Sequence, residues 1–404
     1  MERLVYKFDI ITKSPLSVGT AYNDLTDHDI ATYSDGTPYV PATSLCGSFF
    51  ARLDYENSKN DKQILFGTNP EDKKDFIESK LFVSDGIFIN FNKDAIKLRD
   101  FNRVASDKDI EDIQLEEKSN GKFDSLYINE DSRFSFFIVY TQDNENIENL
   151  LKEQVIEIAQ KINSGLYRLG NKQNRGFGKL FVDKLVFKKY DKSNYADYLD
   201  FNGDVKNIKD FEDFKEIKIE EKEFDGIKSF SVKAKLKGSI LVREYQLLEE
   251  IDYGPITTTV GGKKVAVVPA TSINGVLQER VRKIAKELNV KYDKDDLINT
   301  IVDEAYIYDG DEKQFSRNKI NRFTSNAIDK GLYTEKVWFS NDNSYCEFNI
   351  RFKDTMKDDS NIYRLYYLAL QDLLLGYAPI GGETNIGRGI FEGKVEDIVV
   401  KAYR

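Results

Sequence analysis

The stretch Val40-Pro41-Ala42-Thr43-Ser44-Leu45-Cys46-Gly47 returns as Val268-Pro269-Ala270-Thr271-Ser272-Ile273-Asn274-Gly275, 228 residues further along the chain. Five consecutive identities and a shared glycine mark an internal repeat. Two more pairs follow in the same order. Asn102-Arg103 matches Asn321-Arg322 at an offset of 219, and Gly170, Asn174, Gly176 and Gly178 match Gly381, Asn385, Gly387 and Gly389 at an offset of 211. Offsets that shrink steadily describe two copies of one domain, the second with shorter loops, and not a solenoid, whose period is about 20 to 50 residues.

Hydropathy patterning gives each copy the same outline. Leu4–Thr12 alternates as a strand, a polar loop runs to Asp35, and Thr43 or Ser44 is placed to cap a helix over Leu45–Leu53. Leu81–Asn92 and Arg133–Thr141 are expected strands, Ile147–Leu169 an amphipathic helix, and Gly178–Lys188 a closing strand. The second copy repeats this with strands at Phe230–Leu241 and Ser344–Phe352, helices at Ser272–Leu288 and Ile362–Leu375, and a closing stretch Gly389–Lys401. The expected class is α+β: two tandem ferredoxin-like domains, each an antiparallel sheet backed by helices. Their expected bounds are 1–190 and 226–404. The stretch 191–225, with twelve acids and six lysines, is expected to connect them.

The chain has 404 residues, 40% hydrophobic and 13% aromatic, enough for two packed cores. It lacks any apolar run of about 18 residues, and its first residues alternate charged with apolar groups, so neither a membrane span nor a signal peptide is expected. Two cysteines, Cys46 and Cys346, fit a reducing cytoplasm, and the single histidine, His28, excludes multi-histidine metal sites. Any hydrolysis must therefore lean on carboxylates, lysines or the substrate itself. A net charge of -10 argues against non-specific coating of nucleic acid. The 191–225 stretch holds -6 of it, so the remaining surface is near neutral and has room for a local basic stripe.

The loop Gly170-Asn171-Lys172-Gln173-Asn174-Arg175-Gly176-Phe177-Gly178-Lys179 has the glycines and cations of a phosphate cradle, or of a plain helix end turning into a strand. Pro41–Ser44 and Pro269–Ser272 enter helices whose free N–H groups either hold phosphate or are capped by hydroxyls. Tyr39, Phe101, Phe177 and Phe323 stand where bases can stack, although most aromatics must be core, and Trp338 reads as core.

The ordered set Gly36-Thr37-Pro38 through Gly47, Leu65-Phe66-Gly67, Arg103 and Gly170–Gly178, with its second copy in Val268–Gly275, Arg317–Thr324 and Gly381–Gly389, resembles the RAMP superfamily of CRISPR proteins. It is most similar to the backbone subunits of type III effector complexes. The resemblance implies a modified RNA-recognition-motif-like core with an inserted thumb in each domain, with Arg103 and Arg322 on the thumbs. Guide RNA would lie against Thr43, Ser44, Gly47, Thr271, Ser272 and Gly275, and against the glycine loops through Lys172, Arg175, Gly176, Gly178, Gly387 and Arg388. The family usually carries lysine where this chain has Cys46 and Asn274.

Target-cleaving members use a loop aspartate after the first strand. The resemblance places Asp29 there, beside Asp27, and Asp252 in the second copy. Asp29 would hold Mg²⁺ or another divalent cation while the RNA's own 2′-hydroxyl attacks. The implied partners are guide RNA, complementary target RNA and other effector subunits. Two alternatives stay open: a non-catalytic scaffold of the same complex, and an endoribonuclease that processes precursor guide RNA.

Overall fold

A computed structural model of the chain describes residues 2–19, 29–50, 79–102, 122–142, 147–222, 224, 228–244, 251–298, 300–352 and 360–402. Its contacts fall into two units. One comprises Met1–Leu98, Phe123–Gln173 and Phe177–Glu223, and the other Arg99–Lys122, Asn174–Gly176 and Phe224–Arg404.

The chain up to the second repeat runs β1 (Glu2–Thr12), β2 (Tyr39–Val40), α1 (Ala42–Leu45), β3 (Leu81–Val83), β4 (Gly86–Phe88), β5 (Ile96–Asn102), β6 (Lys122–Ile128), β7 (Arg133–Gln142), α2 (Ile147–Asn163), β8 (Leu180–Tyr190), α3 (Tyr195–Leu199) and β9 (Lys215–Glu216), all in the first unit except Arg99–Asn102 of β5 and Lys122 of β6. The sheet order is β2-β4-β7-β1-β8-β9, with β3 also on β7, while β5 and β6 form a separate ribbon. The central strand β1 is antiparallel to both neighbours. Leu4, Tyr6, Phe8 and Ile10 point to its inner face and bury against Leu151, Val155, Ile158 and Ile162 of α2, whose three- and four-residue spacing makes one stripe.

The outer face of this sheet is apolar too, and that decides the fate of the acidic stretch. Val5, Phe137, Val139, Val186 and Tyr190 are covered by Val205, Phe211 and Phe214, with Tyr198 and Phe201 packed around them. Burying Phe211 and Phe214 stabilises the unit by about 1.5–3 kcal/mol each. The stretch expected to be a connection is therefore a strap that roofs the first sheet and adds β9 beside β8. Its rings face the sheet and its acids are mostly exposed, with Asp213 and Glu216 reaching Lys188 and Lys184 of β8 at 3.9 and 4.0 Å.

The second unit contains β10 (Lys228–Lys237), β11 (Ser239–Ile240), β12 (Arg243–Glu244), β13 (Gly254–Pro255), β14 (Thr257–Val260), β15 (Lys263–Val268), α4 (Ala270–Glu287), α5 (Lys294–Ile298), β16 (Ile301–Val302), β17 (Ala305–Ile320), β18 (Ala327–Arg351), α6 (Ile362–Leu374), β19 (Ile390–Glu392) and β20 (Ile398–Ala402). Its sheet order is β14-β15-β17-β18-β10-β19, with β20 also on β10 and β11 and β16 on β18. The helices α4 and α6 back one face through Ile273, Leu277, Val281, Leu365, Ala369 and Leu373.

Beyond Gly310 and Ser340, β17 and β18 leave the sheet as a long hairpin, paired as far as Ile320 and Ala327. At the end of β18 the segment Ser344–Phe352 was expected as a strand; the hairpin buries Glu335, Val337 and Trp338 near its base, and its outer part, Ser316–Asp329, is mostly exposed. Trp338 lies at its base and is 2% exposed, in agreement with its reading as core. Both cysteines are free, and no helix among the described residues is long and apolar enough to cross a membrane.

Candidate nucleic-acid interface

In both copies the proline of the Pro-Ala-Thr-Ser motif is the residue that precedes the helix, and no side chain caps it. The expected hydroxyl caps at Thr43 or Ser44 give way to a different arrangement. Ala42 N–H donates to Asp85 Oδ1 at 2.7 Å, so a carboxylate from outside the motif meets the helix start. The helix begins at Ala42, ahead of the expected Leu45, and widens at Cys46–Phe50 into a π-turn. The second copy continues as the regular 18-residue helix α4.

Three residues after the motif's serine, each copy has a glycine. Gly47 and Gly275 are both exposed and both helical in backbone, and the position of a side chain on either is open space. Neither belongs to the glycines with positive φ. Glycine inside a helix costs about 0.5–1 kcal/mol relative to alanine, and here no backbone angle or neighbour inside the fold requires it. Thr43 is exposed beside Gly47, whereas Ser44, Thr271 and Ser272 are half-buried.

The two glycine loops divide into inner and outer positions. Gly178 N–H donates to Pro15 O, and Leu169 N–H to Gly178 O at 3.0 Å; Gly389 and Ile380 repeat the second bond at 2.9 Å. A side chain at Gly178 or Gly389 would overlap the carbonyl of Leu169 or Ile380, and both have positive φ. These glycines close the loop on itself. Gly387 differs: its φ is 88° and the space around its Cα is open. Gly176 is buried. Lys172 adopts a positive φ of 60°, and burial pulls the Arg175 guanidinium below its usual pKa.

The residue between the last two glycines anchors each loop by different chemistry. Phe177 is fully buried against Tyr127 of β6, with ring centroids 5.7 Å apart, so it offers no face to a base. Its counterpart Arg388 is 3% exposed and donates to both Glu335 oxygens at 2.5 and 3.2 Å. Arg317 of β17 also reaches Glu335 at 2.5 Å, and Glu383 pairs with Arg388 and, at 3.4 Å, with Arg243. Burial pushes the Glu335 carboxyl up, but Arg388 and Arg317 outweigh it and hold it below the usual carboxylate range. Arg388 is thus spent inside the fold and leaves the set of cations expected to face RNA. Its signal was absent from the sequence because Glu335 lies 53 residues away.

Asp29 is 5% exposed. It stands beside the first glycine loop, since a side chain on Gly19 would meet Asp29 O at 2.9 Å and Asn171 Nδ2 at 3.3 Å. Asp252 is exposed and anchored to the hairpin, its Oδ2 accepting from Thr334 N–H at 2.7 Å and its N–H donating to Thr334 O at 2.9 Å. Among the described residues no group of three acids, histidines or cysteines is placed to hold a metal ion. Asp27, His28 and Arg103 lie outside the described residues. Arg322 and Phe323 sit exposed in the turn of the long hairpin, Phe323 at 98%. Tyr39 is stacked on Tyr33 at 4.4 Å.

Comparison with known proteins agrees with the repeat. The model of the RAMP superfamily matches residues 9–181 and again 211–392. No curated protein matches. Among solved structures, the chain is similar to one in a cryo-EM structure of the type III-B Cmr-beta bound to cognate target RNA, at 15% identity and a TM-score of 0.36, covering 46% of this chain and 61% of that one. With the family model matched once over each half of the repeat, the chain belongs to the RAMP superfamily as two domains in tandem.

Proposed function

We propose that this chain is a guide-RNA-binding backbone subunit of a type III CRISPR ribonucleoprotein, framing the guide–target duplex beside other effector subunits and cleaving target RNA at loop aspartates. The observation that carries the RNA-binding part is the pair Gly47 and Gly275, helix glycines that face open space at the same place in each copy. A sugar-phosphate backbone lying against the helix is what the missing side chain admits. Sequence choice then belongs to base pairing, and the protein needs no base-reading code. Each unit is read as a ferredoxin-like core with an inserted thumb, a reading supported by the order β8-β1-β7-β4 in the first sheet and by the two ribbons, β5–β6 and β17–β18.

Gly275→Ala tests the reading in two directions at once. Unfolding in urea, followed by the fluorescence of the single tryptophan, Trp338, should show the second unit stabilised by about 0.5–1 kcal/mol. Guide RNA affinity should fall several-fold in the same protein. An unchanged affinity would remove the glycine from the interface.

Asp29 is the proposed cleavage residue of the first copy and Asp252 of the second. A bound divalent cation supplies charge neutralisation at the scissile phosphate. Asp29 would hold one side of that cation, and the nucleophile is the RNA's 2′-hydroxyl, in keeping with a chain that has one histidine. In complexes assembled with guide RNA and Mg²⁺, Asp29→Asn should abolish one set of cuts in end-labelled target by at least about a hundredfold while assembly is retained. Loss of assembly along with the cuts would make Asp29 structural.

The scaffold reading has its own support: Asp29 is mostly buried and Asp252 is tied to Thr334. Stable target binding with no metal-dependent cuts in the unmodified complex would favour it.

A further inference from the structure

The two sheets differ on the faces turned away from their helices. In the first unit the strap 191–222 covers that face by pairing rings and acids with cations. Arg3 lies 4.7 Å from the ring centre of Tyr198 and Lys7 5.1 Å from that of Phe211. Lys188 lies 5.9 Å from the ring centre of Phe214 and 3.9 Å from Asp213. The first sheet thus takes an acidic segment carrying aromatic rings, held by apolar packing with cations of the sheet set against the rings.

In the second unit the matching face carries exposed lysines and half-buried tyrosines. Along β10, Phe230, Val232, Ala234 and Leu236 turn inward, so Lys233, Lys235 and Lys237 turn outward. Register places Lys235 beside Tyr345 of β18 and Tyr345 beside Tyr308 of β17. The two tyrosine rings stack at 5.4 Å, and Lys233 Nζ stands 4.6 Å from the centre of Tyr345. The side chains of Lys233 and Lys237 are 59% and 67% exposed, paired loosely with Glu347 at 3.2 Å and Glu392 at 3.7 Å. Lys235 makes no ion pair among the described residues.

We infer that this face of the second unit is a binding platform for single-stranded RNA, separate from the surface around Gly47 and Gly275. Phosphates take the place that the strap's acids hold in the first unit, and bases that of its rings. Surface pairs such as Lys233–Glu347 contribute little and exchange readily for phosphate contacts. A sheet with stacked aromatics flanked by lysines suits unpaired bases of any sequence, because every base has a π-face.

The test uses the full chain and a fluorescein-labelled 12-nucleotide oligouridine, read by anisotropy at low and at raised salt. The double variant Lys233→Glu/Lys235→Glu should lose about tenfold in affinity and flatten the salt dependence, and Tyr345→Leu should lose several-fold. Trp338 unfolding checks that each variant is folded; if Tyr345→Leu is not, the surface lysines still decide. Oligouridine binding that survives Gly47→Arg/Gly275→Arg, which blocks the proposed guide surface, belongs to the platform. Unchanged binding in the lysine variant overturns the inference, as does loss confined to the glycine variant. A synthetic peptide of residues 191–222 is the third arm: if it binds this face and oligouridine does not, the occupant is an acidic protein segment and the RNA platform is refuted.

Discussion

Replacing Arg388 with alanine should destabilise the second unit by about 3–5 kcal/mol, because it strips a fully buried carboxylate of its bidentate partner. Glu335 is 0% exposed, and Arg317, its remaining partner, is 38% exposed in its side chain. Glu383 would lose its nearer cation in the same step. Trp338 is the only tryptophan and lies in this unit, so urea unfolding followed by its fluorescence isolates the effect. Arg388→Leu combined with Glu335→Leu should cost less than Arg388→Ala alone, since no buried charge is then left unpaired. Equal losses would show that packing, not charge, holds the loop. The pH dependence has a definite sign. Glu335 has a lowered pKa in the folded state, so its contribution is present above the ordinary carboxylate range and is lost as pH falls through its folded value. Arg388→Ala should shrink that acid-sensitive part of the stability.

Gly389→Ala should cost about 3–5 kcal/mol, close to the largest effects seen for a single methyl group. Gly389 has a φ of 70°, and a side chain there would collide with the Ile380 carbonyl, while the N–H of the same Ile380 donates to the Gly389 oxygen. The loop cannot move away without breaking that bond. Gly387→Ala, two residues earlier, is the control. It meets open space and pays only for the left-handed backbone, about 1 kcal/mol. The ratio of the two, read by Trp338 fluorescence in urea, measures how much of the glycine pattern serves the fold. Similar costs for both would refute the division into inner and outer glycines.

Much of the architecture was legible because it is written twice. The identities at Val40–Ser44 and Val268–Ser272 gave the tandem arrangement, and alternation along β10 and β7 gave strands within a few residues of their observed ends. What escaped reading depends on surroundings. The strap's anchors Tyr198, Phe201, Phe211 and Phe214 follow no helical or strand period, and their acidic setting looks like a linker until an apolar sheet face is there to receive them. The outer part of the hairpin is mostly exposed, which removes the alternation that marks half-buried strands. At the candidate interface, the open glycines could be found from the repeat alone. The burial of Phe177 and Arg388 could not, since both depend on partners distant in sequence.

The unlike anchors of the two loops give this molecule a thermal asymmetry. Contact between Phe177 and Tyr127 is apolar and weakens on cooling, as hydrophobic association does. The ionic cluster around Glu335 behaves in the opposite sense, because the desolvation penalty of paired charges declines as temperature rises. Chilling should therefore loosen the first loop before the second, and heating should spare the second longest. Two copies that share one fold need not share one working temperature.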